Sequence, residues 1–128
     1  MNTPFRLTER IRSFKYAFAG IATMLKSQHN AWIHAAATVI VVGMGIIFSV
    51  NKLEWCILII AIMAVWIAEA LNTALEFLAD AASPDFHPLV KNAKDVAAGA
   101  VLIAAVGSAI IGLIIFVPYI SSFLEQYF

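Results

Sequence analysis

Hydrophobic residues divide the chain into one spaced pattern and three long runs. Leu7, Ile11, Phe14, Phe18, Ile21 and Leu25 recur at steps of 4, 3, 4, 3 and 4, the spacing of one helical face. Arg6, Arg10, Arg12, Lys15 and Lys26 interleave with them. Residues 5–28 are therefore predicted to form an amphipathic helix on an anionic membrane surface, each nearby cation contributing about 1 kcal/mol. Ser27 to Asn30 reads as a polar turn. Residues 31–50 carry no charged side chain and, at about 1.5 Å per residue, are long enough to cross a ~30 Å hydrocarbon layer. Asn51-Lys52 ends that first span.

The second helix is predicted over residues 53–82, ended by Ser83-Pro84 because proline disfavours helical geometry in the residue before it. Its length of about 45 Å exceeds the hydrocarbon, so its last turns leave the membrane near Ala74. A loop with two prolines follows to about Asn92. The third transmembrane helix is predicted over residues 94–117, charge-free from Val96 to Val117 and closed by Pro118. Ala100, Ala104, Ser108 and Gly112 place small residues on one stripe of it, where another helix can approach closely in lipid. The fold class is all-α integral membrane, one domain of a surface helix and three transmembrane helices. Basic residues concentrate in the N-terminal segment and, as Lys91 and Lys94, in the second loop, while Lys52 stands alone in the first turn and the tail has none. That asymmetry predicts a cytoplasmic N-terminus and an outside C-terminus.

Composition agrees with the pattern: 62% of the 128 residues are hydrophobic and 12% charged, with a mean hydropathy of +0.90. Net charge is zero, which gives no basic bias towards nucleic acid. Cys56 is the only cysteine, so an intrachain disulfide and a cysteine-rich metal site are excluded. The basic residues spread through the first 26 positions do not fit a cleavable signal peptide, and no cleavage is expected.

The chemistry lies in the second run. Relative to Glu69, Asn72, Glu76 and Asp80 fall at roughly −60°, −20° and +20° around the helix axis, so all four share a face. Such a stripe must meet protein, water or a bound ion, because lipid offers it nothing. Lys94-Asp95 is expected to open the third helix on the same side, where a helix N-terminus and a lysine favour phosphate. Acids opposite phosphate point to Mg²⁺, which takes one or two carboxylates with phosphate oxygens and water. Glu69, roughly 10 Å deeper than Glu76, is placed to accept a proton from a membrane alcohol. Together these describe metal-assisted phosphoryl transfer from a nucleotide to a lipid hydroxyl. The competing reading is a non-catalytic membrane scaffold or ion-conducting subunit whose acids line a path. No GxxxxGK[ST] loop is present, and Asp85-Phe86-His87 is not the DFG element of soluble kinases. His34 is expected to be an interfacial hydrogen-bonder and Tyr16 an interfacial aromatic.

The strings Glu69-Ala-Leu-Asn-Thr-Ala-Leu-Glu76, Ser83-Pro-Asp-Phe-His-Pro88 and Ala93-Lys-Asp-Val-Ala-Ala-Gly-Ala-Val-Leu102 closely resemble the prokaryotic diacylglycerol kinase family, including its undecaprenol kinase branch. The resemblance runs from about Arg10 to Pro118 and implies a homotrimeric lipid kinase of the bacterial cytoplasmic membrane that uses ATP and Mg²⁺. By position it implies Glu69 as general base, Glu76 as Mg²⁺ ligand, and Asn72 and Asp80 as supporting groups. It further implies nucleotide contacts from Arg10, Tyr16, Gln28, Glu76, Asp85, Phe86, His87, Lys94 and Asp95. One departure stands out: after Ser27 the family commonly has a metal-binding glutamate, whereas this chain has Gln28. An amide oxygen can coordinate Mg²⁺ without contributing charge, so a higher Mg²⁺ requirement is expected. The two leading substrates implied are diacylglycerol and undecaprenol.

Overall fold

The computed structural model describes residues 7–127 as four helices: α1 (Leu7–Ser27), α2 (His29–Ile47), α3 (Lys52–Ala82) and α4 (Pro88–Tyr127). The predicted surface helix began at residue 5; its first two positions lie outside the described residues. Three helices, α2 to α4, are long and apolar enough to cross a membrane. Even in α3, the most covered, only 33% of the apolar window is buried. Apolar side chains left open on every helix are what a hydrocarbon solvent allows and water does not. On α1, Leu7, Ile11, Phe14 and Phe18 are likewise exposed, and Met24 is its one buried residue.

The joints are tighter than the polar turns expected from sequence. Between α1 and α2 only Gln28 leaves helical geometry, at φ −113° and ψ 118°, while its N–H still donates to the Met24 carbonyl at 3.0 Å. At the next joint Ser49 takes a left-handed φ of 51°, and Val50 N–H returns to the Gly45 carbonyl at 3.1 Å. Asn51 and Glu54 then form a reciprocal capping box that starts α3. The six-membered ring of Trp55 lies against Gly45, where any Cβ would stand 2.6 Å from the indole. Val50, Leu58, Ile115 and Phe116 make the core at this end, flanked by Phe48 and Tyr119. The Tyr119 hydroxyl donates to Glu54 at 2.7 Å. α3 and α4 form the most extensive helix pair, tied midway by Ser108, whose hydroxyl donates to the Ala61 carbonyl at 2.9 Å.

Two expectations about the last helix are corrected. It starts at Pro88, not at Lys94, because proline is pre-organised for the first helical position. His87 caps it, its Nδ1 accepting from Leu89 N–H at 3.2 Å and its carbonyl accepting from Lys91 N–H at 3.0 Å. It also continues through Pro118 to Tyr127. Proline removes one backbone donor there, a loss that transmembrane helices tolerate; Ser121 Oγ donates to the Pro118 carbonyl at 3.0 Å and the Tyr119–Glu54 bond holds the following turn.

Candidate active site

Burial along the polar stripe of α3 falls step by step. Glu69 is 1% exposed and Asn72 6%, Glu76 is half-buried and Asp80 exposed. This gradient is the one expected of a helix that emerges from an apolar layer into water, and it gives four residues on one face four different environments.

Glu76 is the meeting point. Its carboxylate accepts from Asn72 Nδ2 at 3.2 Å, within α3, and from Gln28 Nε2 at 2.7 Å, across the bundle. The single extended residue between α1 and α2 is what carries the Gln28 side chain onto α3. One level deeper, His34 Nε2 of α2 stands 3.6 Å from Glu69 Oε2. Both Glu69 oxygens, His34 Nε2 and the Asn72 side-chain oxygen are buried without a hydrogen-bond partner. Orphaned buried polar atoms are rare and costly, and they cluster here at the chemically suited end of the bundle.

Beyond the stripe, Asp80 accepts from Lys94 Nζ at 2.9 Å, and Lys91 pairs with Asp95 one turn apart on α4. The bond to Asp80 holds the Lys94 ammonium above its ordinary range, in the polar extension that precedes the charge-free run from Val96. These residues line a polar cleft of ≈ 410 Å³ together with Asp85, Phe86 and His87. Lys94 and Asp95 therefore do not open the helix as expected but lie in its second turn: α4 begins at Pro88, which has no N–H to offer, and the Leu89 N–H that follows is taken by His87. Arg10 and Tyr16, on α1, do not line this cleft. A second, apolar groove of ≈ 460 Å³ runs from His34 and Thr38 to Ile120, with Ala105, Ser108, Ala109 and Gly112 on its α4 wall.

A family model described as prokaryotic diacylglycerol kinase matches residues 15–116. The chain belongs to the prokaryotic diacylglycerol kinase family. It is 41% identical to an undecaprenol kinase of Bacillus subtilis over 112 residues, which cover 88% of this chain and 91% of that one. It is 37% identical to a diacylglycerol kinase of Synechocystis over 107 residues, covering 83% of this chain and 61% of the relative. A diacylglycerol kinase of Escherichia coli K12 is 29% identical over 116 residues, 85% and 89% of the two chains. The chain is thus a lipid kinase, and the scaffold or ion-conducting reading is set aside.

Within this lipid kinase, no three His, Cys, Asp or Glu side chains converge on a metal position among the described residues. Mg²⁺ does not need three, since phosphate and water complete its octahedron. Gln28 and Glu76 fit the protein share: they already touch, and turning the amide presents its oxygen beside the carboxylate. The unpartnered Asn72 oxygen adds a polar atom that a hydrated cation would satisfy. His34, expected to be an interfacial hydrogen-bonder, instead turns a buried and unpartnered Nε2 towards Glu69. The available signal was a histidine inside a charge-free span, one level from a buried acid.

Proposed function

We propose that this lipid kinase transfers the γ-phosphoryl group of MgATP to the hydroxyl of a membrane lipid alcohol at the inner leaflet. The observation that carries the reading is the buried, unpartnered Glu69 carboxylate below the Glu76–Gln28 pair, a base held where a lipid hydroxyl can reach and bulk water cannot. Glu69 accepts the hydroxyl proton as the alkoxide oxygen forms its bond to the γ-phosphorus, and ADP leaves with the electrons of the broken P–O bond. Glu76 and Gln28 would hold Mg²⁺, which when bound would neutralise phosphate charge. Asn72 keeps the Glu76 carboxylate aimed through its amide.

The cleft between Asp80 and Asp95 receives the triphosphate, with Lys94 exchanging its Asp80 partner for phosphate oxygens. Asp85, Phe86 and His87 border the nucleotide. Arg10 and Tyr16 serve it in a homotrimer with sites shared between subunits. The distribution of basic residues supports a cytoplasmic N-terminus and cleft, with the C-terminus on the outer side of the bacterial inner membrane. Of the two alcohols named by the relatives, undecaprenol is favoured by the higher identity and diacylglycerol is the second substrate to test.

Purified protein in liposomes should consume ATP only when a lipid alcohol is added, with undecaprenol and diacylglycerol compared at equal mole fraction. Lipid-independent ATP consumption, or none with either alcohol, sinks the proposal. Glu69→Gln should abolish transfer while nucleotide binding, followed by a fluorescent ATP analogue, survives.

A further inference from the structure

Among the described residues His34 is the polar side chain that approaches the Glu69 carboxylate, and nothing in the transfer chemistry above uses it. Its Nε2 is buried, lacks a hydrogen-bond partner and faces a carboxylate whose two oxygens also lack one. At 3.6 Å the pair is too long for a formed hydrogen bond, yet catalytic hydrogen bonds are commonly long before substrate arrives and tighten in the complex.

Trp66 packs against the ring, and hydrogen bonds tie that indole to the backbone of His34. Trp66 Nε1 donates to Thr38 Oγ1 at 3.0 Å, and the Thr38 hydroxyl donates to the His34 carbonyl at 2.7 Å. The Trp66 and His34 rings meet edge to face, with centroids 6.5 Å apart and planes at 72°. Trp66 is three residues before Glu69, so the helix that carries the carboxylate also carries the ring that packs against the imidazole. At this level α4 contributes Ala105 and Ser108 to the groove beside His34, and neither is charged. Asn72 and Gln28 give their amide protons to Glu76, and the Thr73 hydroxyl goes to the Glu69 backbone carbonyl at 2.8 Å. Histidine is thus the remaining donor for the Glu69 side chain among these neighbours.

We propose that His34 is the positioning residue of this kinase: its Nε2–H binds one Glu69 oxygen and leaves the other aimed at the lipid hydroxyl. The inference rests on Glu69 being the proton acceptor. His34 touches neither ATP nor the phosphoryl group, so its loss acts on turnover and not on nucleotide affinity.

The test is a substitution series at His34 in the full chain in liposomes, with Glu69→Gln alongside. Glutamine places an amide nitrogen near the position of Nε2, asparagine places one near Nδ1, and leucine fills the volume without a donor. Positioning predicts that His34→Leu and His34→Asn lower kcat by about 10- to 100-fold with the KM for ATP unchanged, while His34→Gln restores most of the loss. A packing role predicts instead that leucine is tolerated and that glutamine and asparagine behave alike; that ranking overturns the proposal. A series that is flat while Glu69→Gln is dead removes His34 alone. If Glu69→Gln keeps full turnover, the base assignment falls and the positioning role falls with it.

Discussion

Gln28 shows how much one side chain can change a site. Its amide proton gives Glu76 a neutral partner at 2.7 Å, so the pair is content without a metal. Gln28→Glu would set two carboxylates face to face, a geometry that repels until a cation sits between them. The half-saturating Mg²⁺ concentration for turnover should fall by about tenfold in the variant, and Mg²⁺ should raise its melting temperature more than that of the native protein. Equal Mg²⁺ dependence in both would remove Gln28 from the metal site. At Lys94 the expectation differs. The Lys94–Asp80 pair is exposed, and exposed ion pairs contribute little to stability. Lys94→Ala should therefore leave thermal unfolding nearly unchanged while raising the KM for ATP by about tenfold through a lost phosphate contact.

At the scale of helices, the end of the bundle remote from Glu69 sets the geometry. Gly45 sits under the Trp55 indole, so Gly45→Ala combines a helix-propensity gain of about 1 kcal/mol with an overpacking cost of about 1–3 kcal/mol. The rigid ring in a packed corner makes the cost prevail, and a net loss of stability by thermal unfolding in detergent is expected. In a Trp55→Leu background the same glycine change should become neutral or stabilising. Helix existence was legible because hydrophobic runs and steps of three and four report it directly. The ends of α4 were not. Pro88 and Pro118 were read as punctuation, whereas one is a favoured first residue capped by His87 and the other is bridged by contacts made far away in sequence. Likewise the shared face of Glu69, Asn72, Glu76 and Asp80 follows from helical periodicity, but which partner each receives depends on how α2 leans on α3. That is why Gln28 and His34 could be ranked only once the helices were packed.

For the whole molecule, the open groove on α4 is informative because the chain itself leaves it unfilled. An added Cβ at Gly112 meets nothing within 4 Å. Gly112→Leu should therefore keep the helical content of the single chain, and any loss it causes reports a neighbour outside that chain. In the proposed trimer the expected result is a shift to smaller species in native mass spectrometry, together with lower turnover. An intact trimer with full activity would assign the groove to lipid contact only.

The overlength of the last two helices carries a consequence for reach. α4 is 40 residues, about 60 Å from end to end, roughly twice the thickness of the oily layer it crosses. In the proposed reading its opening turns and the close of α3 would stand clear of the bilayer like a pier, where a water-borne donor could moor without wading into headgroups. The acceptor, held in the membrane plane, would rise only as far as Glu69. The two reactants would then approach from opposite levels, and the height of that step would set which alcohols have a stem long enough to meet it.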